Sequence, residues 1–251
     1  MTFDVKGVLT DAWAMWRADR DLLFRILGLF FFLPQFAMLL LLPAMPPFAV
    51  TAEMSEADQR ALAHKIVEWV SAYGGWYVLG ALLVQAGSLV VLVLYLRRDR
   101  PDLRQALAHG ARLFPRYLLA MILVGLPLGL GVLTLVLLLP GFYLLGRLIA
   151  VGPALAAEQP LSIVQSLGRS WTLTRGHGLV LAGLVSLTII GGALLAAPFT
   201  LIDKSLRDAA PNAVAIAMVD AGAAAATAAA LLATILIQIA AYRRLAASKG
   251  I

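Results

Sequence analysis

Five stretches of this chain stay apolar for longer than a globular core can use: residues 22–43, 73–96, 117–157, 179–199 and 213–242. A helix needs about 20 apolar residues to cross the hydrocarbon of a bilayer. The block at 117–157 is too long for one crossing and must fold back once, so the chain reads as six spans. Pro140-Gly141 is the expected turn, because Pro-Gly ends one helix and allows a sharp reversal. The competing break is "GLPLGLG" at 125–131.

Composition supports that class. Of 251 residues, 61% are hydrophobic and 14% charged, with a mean hydropathy of +0.89, against roughly 45–50% apolar and about 25% charged in soluble domains. The net charge of +6 does not point to nucleic acid, because the basic residues sit in short clusters at the ends of apolar runs. With no cysteine, disulfides, thiolate metal sites and cysteine nucleophiles are excluded. Asp4, Lys6, Asp11, Arg17, Asp19 and Arg20 precede the first long run, which is not the pattern of a cleavable signal peptide.

Loop charge sets the expected orientation. Lys6, Arg17 and Arg20 precede the first span, and Arg97, Arg98, Arg100, Arg104, Arg112 and Arg116 crowd the 97–116 loop. Arg169 and Arg175 lie in the 158–178 loop, and Arg243, Arg244 and Lys249 in the tail. The intervening loops are acidic (Glu53, Glu56, Asp58 and Glu68 against Arg60 and Lys65) or balanced (200–212). Alternate loops are basic, which predicts both termini on the cytoplasmic side of a bacterial inner membrane.

Three segments share one pattern: "DVKGVLTDAWAMW" at 4–16, "DLRQALAHGARLF" at 102–114 and "SIVQSLGRSWTLT" at 162–174. Each opens on a good N-cap residue, Asp4, Asp102 or Ser162. Each continues with apolar or small residues at i, i+3, i+4, i+7, i+8 and i+11, the stripe of an amphipathic helix. A hairpin of two spans follows each one. The expected fold is therefore an all-α membrane protein of one polytopic domain. Its six transmembrane helices are arranged as three parallel repeats (4–96, 101–157 and 160–245), each an interfacial helix plus a helical hairpin, related by an axis along the membrane normal.

This accounts for the polar stretch "SLGRSWTLTRGHG" at 166–178 as an interfacial helix and the elbow into the fifth span. Trp13, Trp16 and Trp171 suit the headgroup layer, and Arg17, Arg112, Arg116, Arg169, Arg175 and His177 suit lipid phosphates. These nine are the candidate headgroup contacts.

Residues 139–176, "LPGFYLLGRLIAVGPALAAEQPLSIVQSLGRSWTLTRG", resemble the membrane domain attached to some bacterial glycerophosphodiester phosphodiesterases and the related YciC-like inner-membrane proteins. Pro140, Gly141, Arg147, Glu158, Ser170, Trp171, Arg175 and Gly176 fill that pattern. The resemblance implies a membrane fold. It carries no activity across, because the phosphodiesterase chemistry of that family belongs to a separate soluble barrel.

Ionisable groups inside spans are expensive and default to pairing or function. Arg147 and Asp220 are the two that stand out, and they are expected to meet in the outer half of the bundle. The row Ala221, Ala225, Ala229 and Ala233 places the sixth span in the centre of the bundle or at a dimer contact. Gly80 with Gly87, and Gly183 with Gly191 and Gly192, read as close-packing positions. His64 and Glu68, at i and i+4, read as a solvated helix face rather than half a metal site.

No catalytic, cofactor or metal constellation is found. The expected function is a non-catalytic, lipid-associated scaffold, sensor or accessory of an envelope process, with membrane lipids and other envelope proteins as partners. The alternative is a transporter or carrier of a lipid or small amphiphile.

Overall fold

In the computed structural model the described residues are 3–43, 46, 54–99, 101–134, 138–209 and 212–250. They are mostly helical, with no strand among them. Among the described residues six helices are long and apolar enough to cross a membrane.

Helix α1 (Val5–Ala18) is capped by Asp4, whose carboxylate accepts from the Gly7 N–H at 2.9 Å. The first span follows Asp19 as α2 (Arg20–Ile26), a π-helical stretch (Leu27–Phe32) and α3 (Leu33–Leu41). Pro34 explains the widened turn. Proline has no N–H and its ring crowds the carbonyl four residues back. The helix relaxes just upstream, where the Leu33 N–H bonds Gly28 five residues back, as in the π-bulges that interrupt other helices.

Helix α4 (Glu56–Leu96) is 41 residues long, about 60 Å at about 1.5 Å per residue and twice the hydrocarbon thickness. The second span and the helix carrying His64 and Glu68 are thus one continuous element. Its close packing against the first span is where the glycine reading predicts it. A Cβ on Gly87 would strike Phe30, and one on Gly80 would press on Met38.

Helix α5 (Leu103–Thr134) differs from expectation in two ways. The amphipathic segment that opens at Asp102 does not stop before the span but runs into it, through Pro115 and Pro127. The "GLPLGLG" stretch is also helical, so no turn lies there. Pro140-Gly141 is not the turn either, because both residues sit in the first turns of α6 (Leu138–Leu148). A proline there costs little, since the first N–H groups of a helix have no internal acceptor. The link between α5 and α6, residues 135–137, lies outside the described residues.

The chain then breaks at Ile149–Ala150 and continues as α7 (Val151–Ala157), of which 151–156 are all buried. Helix α8 (Ile163–Leu173) leads through 174–177 into α9 (Gly178–Ala209), and α10 (Ala213–Ser248) returns. All three predicted N-caps form. Asp102 with Gln105 and Ser162 with Gln165 are reciprocal boxes, each backbone N–H meeting the other side chain at 2.7–3.2 Å.

The core runs along α10, whose inner face (Leu232, Ile235, Leu236, Ile239) packs with Leu23, Phe31, Leu92 and Leu181. Helix α10 is central, yet the row Ala225, Ala229 and Ala233 faces outward. Its neighbours at 224, 228 and 232 take the interior. Gly146 lets α6 meet α9 backbone to backbone, because a Cβ there would overlap Ala182.

Both termini lie at one end of the bundle, called here the terminal end. There Arg244 of α10 donates to Asp11 at 2.6 Å and Asp4 at 3.0 Å, and Tyr95 donates to Asp19 at 2.7 Å. The far end holds Arg207 with Asp220, and the Trp69 indole donating to the Pro43 carbonyl.

Candidate functional site

The break between α6 and α7 leaves backbone groups without helical partners, and Ser170 supplies them. Its hydroxyl donates to the Arg147 carbonyl at 2.8 Å and accepts from the Ala150 N–H at 3.2 Å. Thr174, one turn on, donates to Ser170 O at 2.8 Å and lies 3.1 Å from the same Arg147 carbonyl. Buried backbone groups are almost always satisfied. Here two hydroxyls on the inner face of α8 do it, which is why that face is polar where an amphipathic stripe would be apolar.

Arg147 makes the return contact. Its side chain, 5% exposed, crosses to the C-terminus of α8 and donates to Trp171 O at 2.9 Å and Thr174 O at 2.6 Å. The last carbonyls of a helix lack internal donors and carry partial negative charge, so a guanidinium is well suited there. The Trp171 ring covers it, 4.2 Å from ring centroid to guanidinium carbon. Arg147 Nε is buried without a hydrogen-bond partner among the described residues.

A second tie holds α8 two residues before Trp171, at Arg169. Glu158, just past α7, accepts from Arg169 Nε at 2.7 and 3.0 Å and from the Tyr242 hydroxyl at 2.6 Å. One carboxylate therefore joins α7, α8 and α10. The elbow itself turns at Gly176, where φ is +87°, a left-handed conformation that side chains with a Cβ rarely adopt.

The expected Arg147–Asp220 pair does not form. Asp220, 1% exposed, accepts from Arg207 at 3.1 Å, and Arg207 also binds Asp203 at 2.7 Å. Arg147 packs against Gly178 at the start of α9, whereas Arg207 lies 29 residues further along the same helix, about 40 Å away. The two ionisable groups occupy opposite ends of the bundle. The misplacement follows from the turn: a reversal at Pro140 would have put Arg147 near the far end.

Of the headgroup candidates, Trp13 is 58% and Trp171 46% exposed. Arg17, Arg112 and Arg175 are exposed, and Arg116 is exposed with one nitrogen on Leu161 O at 3.0 Å. Trp16 is half-buried, edge-on to Phe24 at 4.9 Å. Arg169 is engaged with Glu158, and the His177 ring packs at 5.6 Å against Phe3. Trp171, Arg175 and His177 therefore share the elbow, with Arg112 and Arg116 on α5 and Trp13 and Arg17 on α1.

Asp4, Asp11 and Arg244 form a node that the sequence reading missed. Their pairing spans up to 240 positions, so no local pattern signals it. The Arg244 hydrogen bond outweighs burial and holds the Asp11 carboxyl below its ordinary value. Gly7 lies beneath the node, where a Cβ would make the Arg244 guanidinium and the Asp4 carboxylate shift.

Comparison with protein-family models, with curated proteins and with solved structures finds no match to this chain.

Proposed function

We propose that this chain is a non-catalytic, multi-pass inner-membrane protein that associates with lipid headgroups and serves as a scaffold, sensor or accessory of an envelope process. The observation that carries this reading is how the polar groups of the elbow are used. Arg147, Glu158, Arg169, Ser170, Thr174 and Tyr242 bond one another or backbone carbonyls. A catalytic constellation needs a nucleophile, acid or base presented to a cleft, and these groups are instead spent on holding α8 across the terminal end. What α8, the elbow after it and α1 turn outward is Trp171, Arg175, Trp13 and Arg17, a set suited to headgroups.

In this reading α1 and α8 lie in the cytoplasmic headgroup layer, both termini are cytoplasmic, and the start of α5 is a third, fused version of the same device. The three-repeat arrangement and the kinship with phosphodiesterase-linked membrane domains belong to the same proposal. Bilayer lipids are the partners, with other envelope proteins recruited to the terminal end.

A carrier for a lipid or small amphiphile is the second reading. It rests on a cavity of about 170 Å³ between α5, α6, α9 and α10, with Thr188, Thr234 and Gln238 among its lining residues. Both threonine hydroxyls donate to their own helix backbones at 2.8 Å, leaving the Gln238 amide as the main polar feature.

The test is native mass spectrometry of the protein extracted in mild detergent, together with a vesicle assay of fluorescent-lipid movement between leaflets. The scaffold reading expects retained phospholipid, reduced by Arg175→Ala, and no accelerated lipid movement. Accelerated movement lost in Gln238→Leu would replace it with the carrier.

A further inference from the structure

At the terminal end a groove of about 710 Å³ separates α5 from the segment that leads into α8. Its basic side is Arg112 and Arg116, one helical turn apart on α5. Its apolar side includes Leu119 and Val164, and no carboxylate among the described residues lines it. Val164 is 77% exposed and Leu119 is also exposed.

Among the described residues nothing compensates the charge in this groove. Arg112 makes no hydrogen bond or ion pair among the described residues, and Arg116 uses one nitrogen on a neutral carbonyl, Leu161 O. This contrasts with Arg97, Arg169, Arg207 and Arg244, each held by a carboxylate. The opposite wall adds donors. Within the capping box, Gln165 Oε1 accepts from Ser162 N and Ser162 Oγ accepts from Gln165 N. The oxygens are occupied, so the Gln165 amide NH₂ and the Ser162 hydroxyl hydrogen remain to be given.

Donors and two positive charges on one side and exposed aliphatic carbon on the other describe an amphiphile with an anionic head. We infer that the groove binds the phosphate of an anionic bilayer phospholipid. The headgroup is held between Arg112 and Arg116 with help from Gln165, and an acyl chain lies along Leu119 and Val164. A free phosphate ion satisfies only the first half of this surface, and a zwitterionic lipid brings its own ammonium to the arginines. Two guanidiniums converging on phosphate oxygens give the charge-assisted bonds that such groups favour. The inference deepens the headgroup-binding reading above and rests on it.

The test uses the full chain reconstituted in phosphatidylcholine vesicles containing spin-labelled phosphatidylglycerol or spin-labelled phosphatidylcholine. Electron paramagnetic resonance reads the motionally restricted fraction of each. Wild type is expected to restrict phosphatidylglycerol preferentially, and each arginine removed should lower that preference about fivefold. Arg112→Gln with Arg116→Gln should abolish it, and Arg112→Lys with Arg116→Lys should retain most of it. Arg112→Gln alone touches no internal bond and keeps the question open to measurement even if the double variant fails to fold. Wild-type selectivity that survives in folded Arg112→Gln and in the double variant overturns the groove while leaving lipid association standing. No selectivity in wild type overturns both. Selectivity abolished by inorganic phosphate in the aqueous phase assigns the site to the free anion and overturns the lipid.

Discussion

Arg147 and Trp171 hold each other across the break in the fourth span: the indole ring covers the guanidinium, and the same guanidinium donates to the Trp171 carbonyl at 2.9 Å. The contact converts a costly buried cation into the cap of α8. Arg147→Ala removes two charge-assisted bonds, leaving Thr174 O with the His177 N–H alone and Trp171 O with only the Thr174 hydroxyl at 3.5 Å. We expect it to lower stability by about 3 kcal/mol, and Arg147→Lys to recover about half, because an ammonium cannot span both carbonyls. Thermal or SDS unfolding followed by circular dichroism measures this. A loss under about 0.5 kcal/mol for the alanine variant would show the cap to be dispensable.

Gly146 and Gly183 offer a sharper contrast, because both are helical glycines in adjacent spans. A Cβ at Gly146 overlaps the backbone of Ala182, and a Cβ at Gly183 meets nothing within 4 Å. Gly146→Ala must push α6 away from α9 and should cost about 1–3 kcal/mol. Gly183→Ala should be neutral or slightly stabilising, since alanine is the better helix former. Equal effects in the same unfolding assay would contradict the backbone contact between these helices.

The contrast also shows what was legible beforehand. The six spans follow from hydropathy, because run length against bilayer thickness is a one-dimensional criterion. The caps at Asp4, Asp102 and Ser162 were readable for a similar reason, since a cap and its target lie three residues apart. Gly80 and Gly87 were found as packing positions, but Gly146 was not, because spacing alone does not say which helix approaches. The turn at Pro140-Gly141 failed since proline in a first helical turn and proline at a helix end look alike in sequence. That error carried Arg147 to the wrong end and suggested Asp220 as its partner. Ser170 and Thr174 were placed on the inward stripe of α8 without their task, which depends on the break at Ile149–Ala150. The outward Ala225, Ala229 and Ala233 row shows that small residues permit close approach without requiring it.

Acid should undock α1. Arg244 holds the Asp11 carboxyl below 3.8, its ordinary value. A carboxyl with a depressed folded pKa contributes its stabilisation fully above the unfolded value and loses it as pH falls through the folded one. Spin labels on cysteines introduced at the exposed Ala14 and Ala247 should give a narrow distance distribution at neutral pH that broadens below about pH 4. Asp11→Asn should give the broad distribution at both. A distribution unchanged down to about pH 2 would mean that packing of Val8, Ala12 and Met15 holds α1 without the ion pair.

The absence of cysteine makes orientation directly measurable, because any cysteine introduced is the sole thiol. Asp99→Cys and Lys249→Cys occupy the terminal end, where Arg243 of α10 hydrogen-bonds the Tyr95 carbonyl near the end of α4. Asp58→Cys lies on the opposite projection of α4, more than 35 residues away along one helix. A membrane-impermeant maleimide should reach Asp58→Cys in intact cells. Asp99→Cys and Lys249→Cys should be labelled only after the inner membrane is opened. The proposed polarity rests on charge, since Arg97, Arg98, Arg104, Arg243 and Arg244 gather at one end while Glu56, Asp58 and Glu68 mark the other. Labelling of Asp99→Cys from outside would invert the molecule, move α1 and α8 to the outer leaflet and remove the cytoplasmic reading of the elbow.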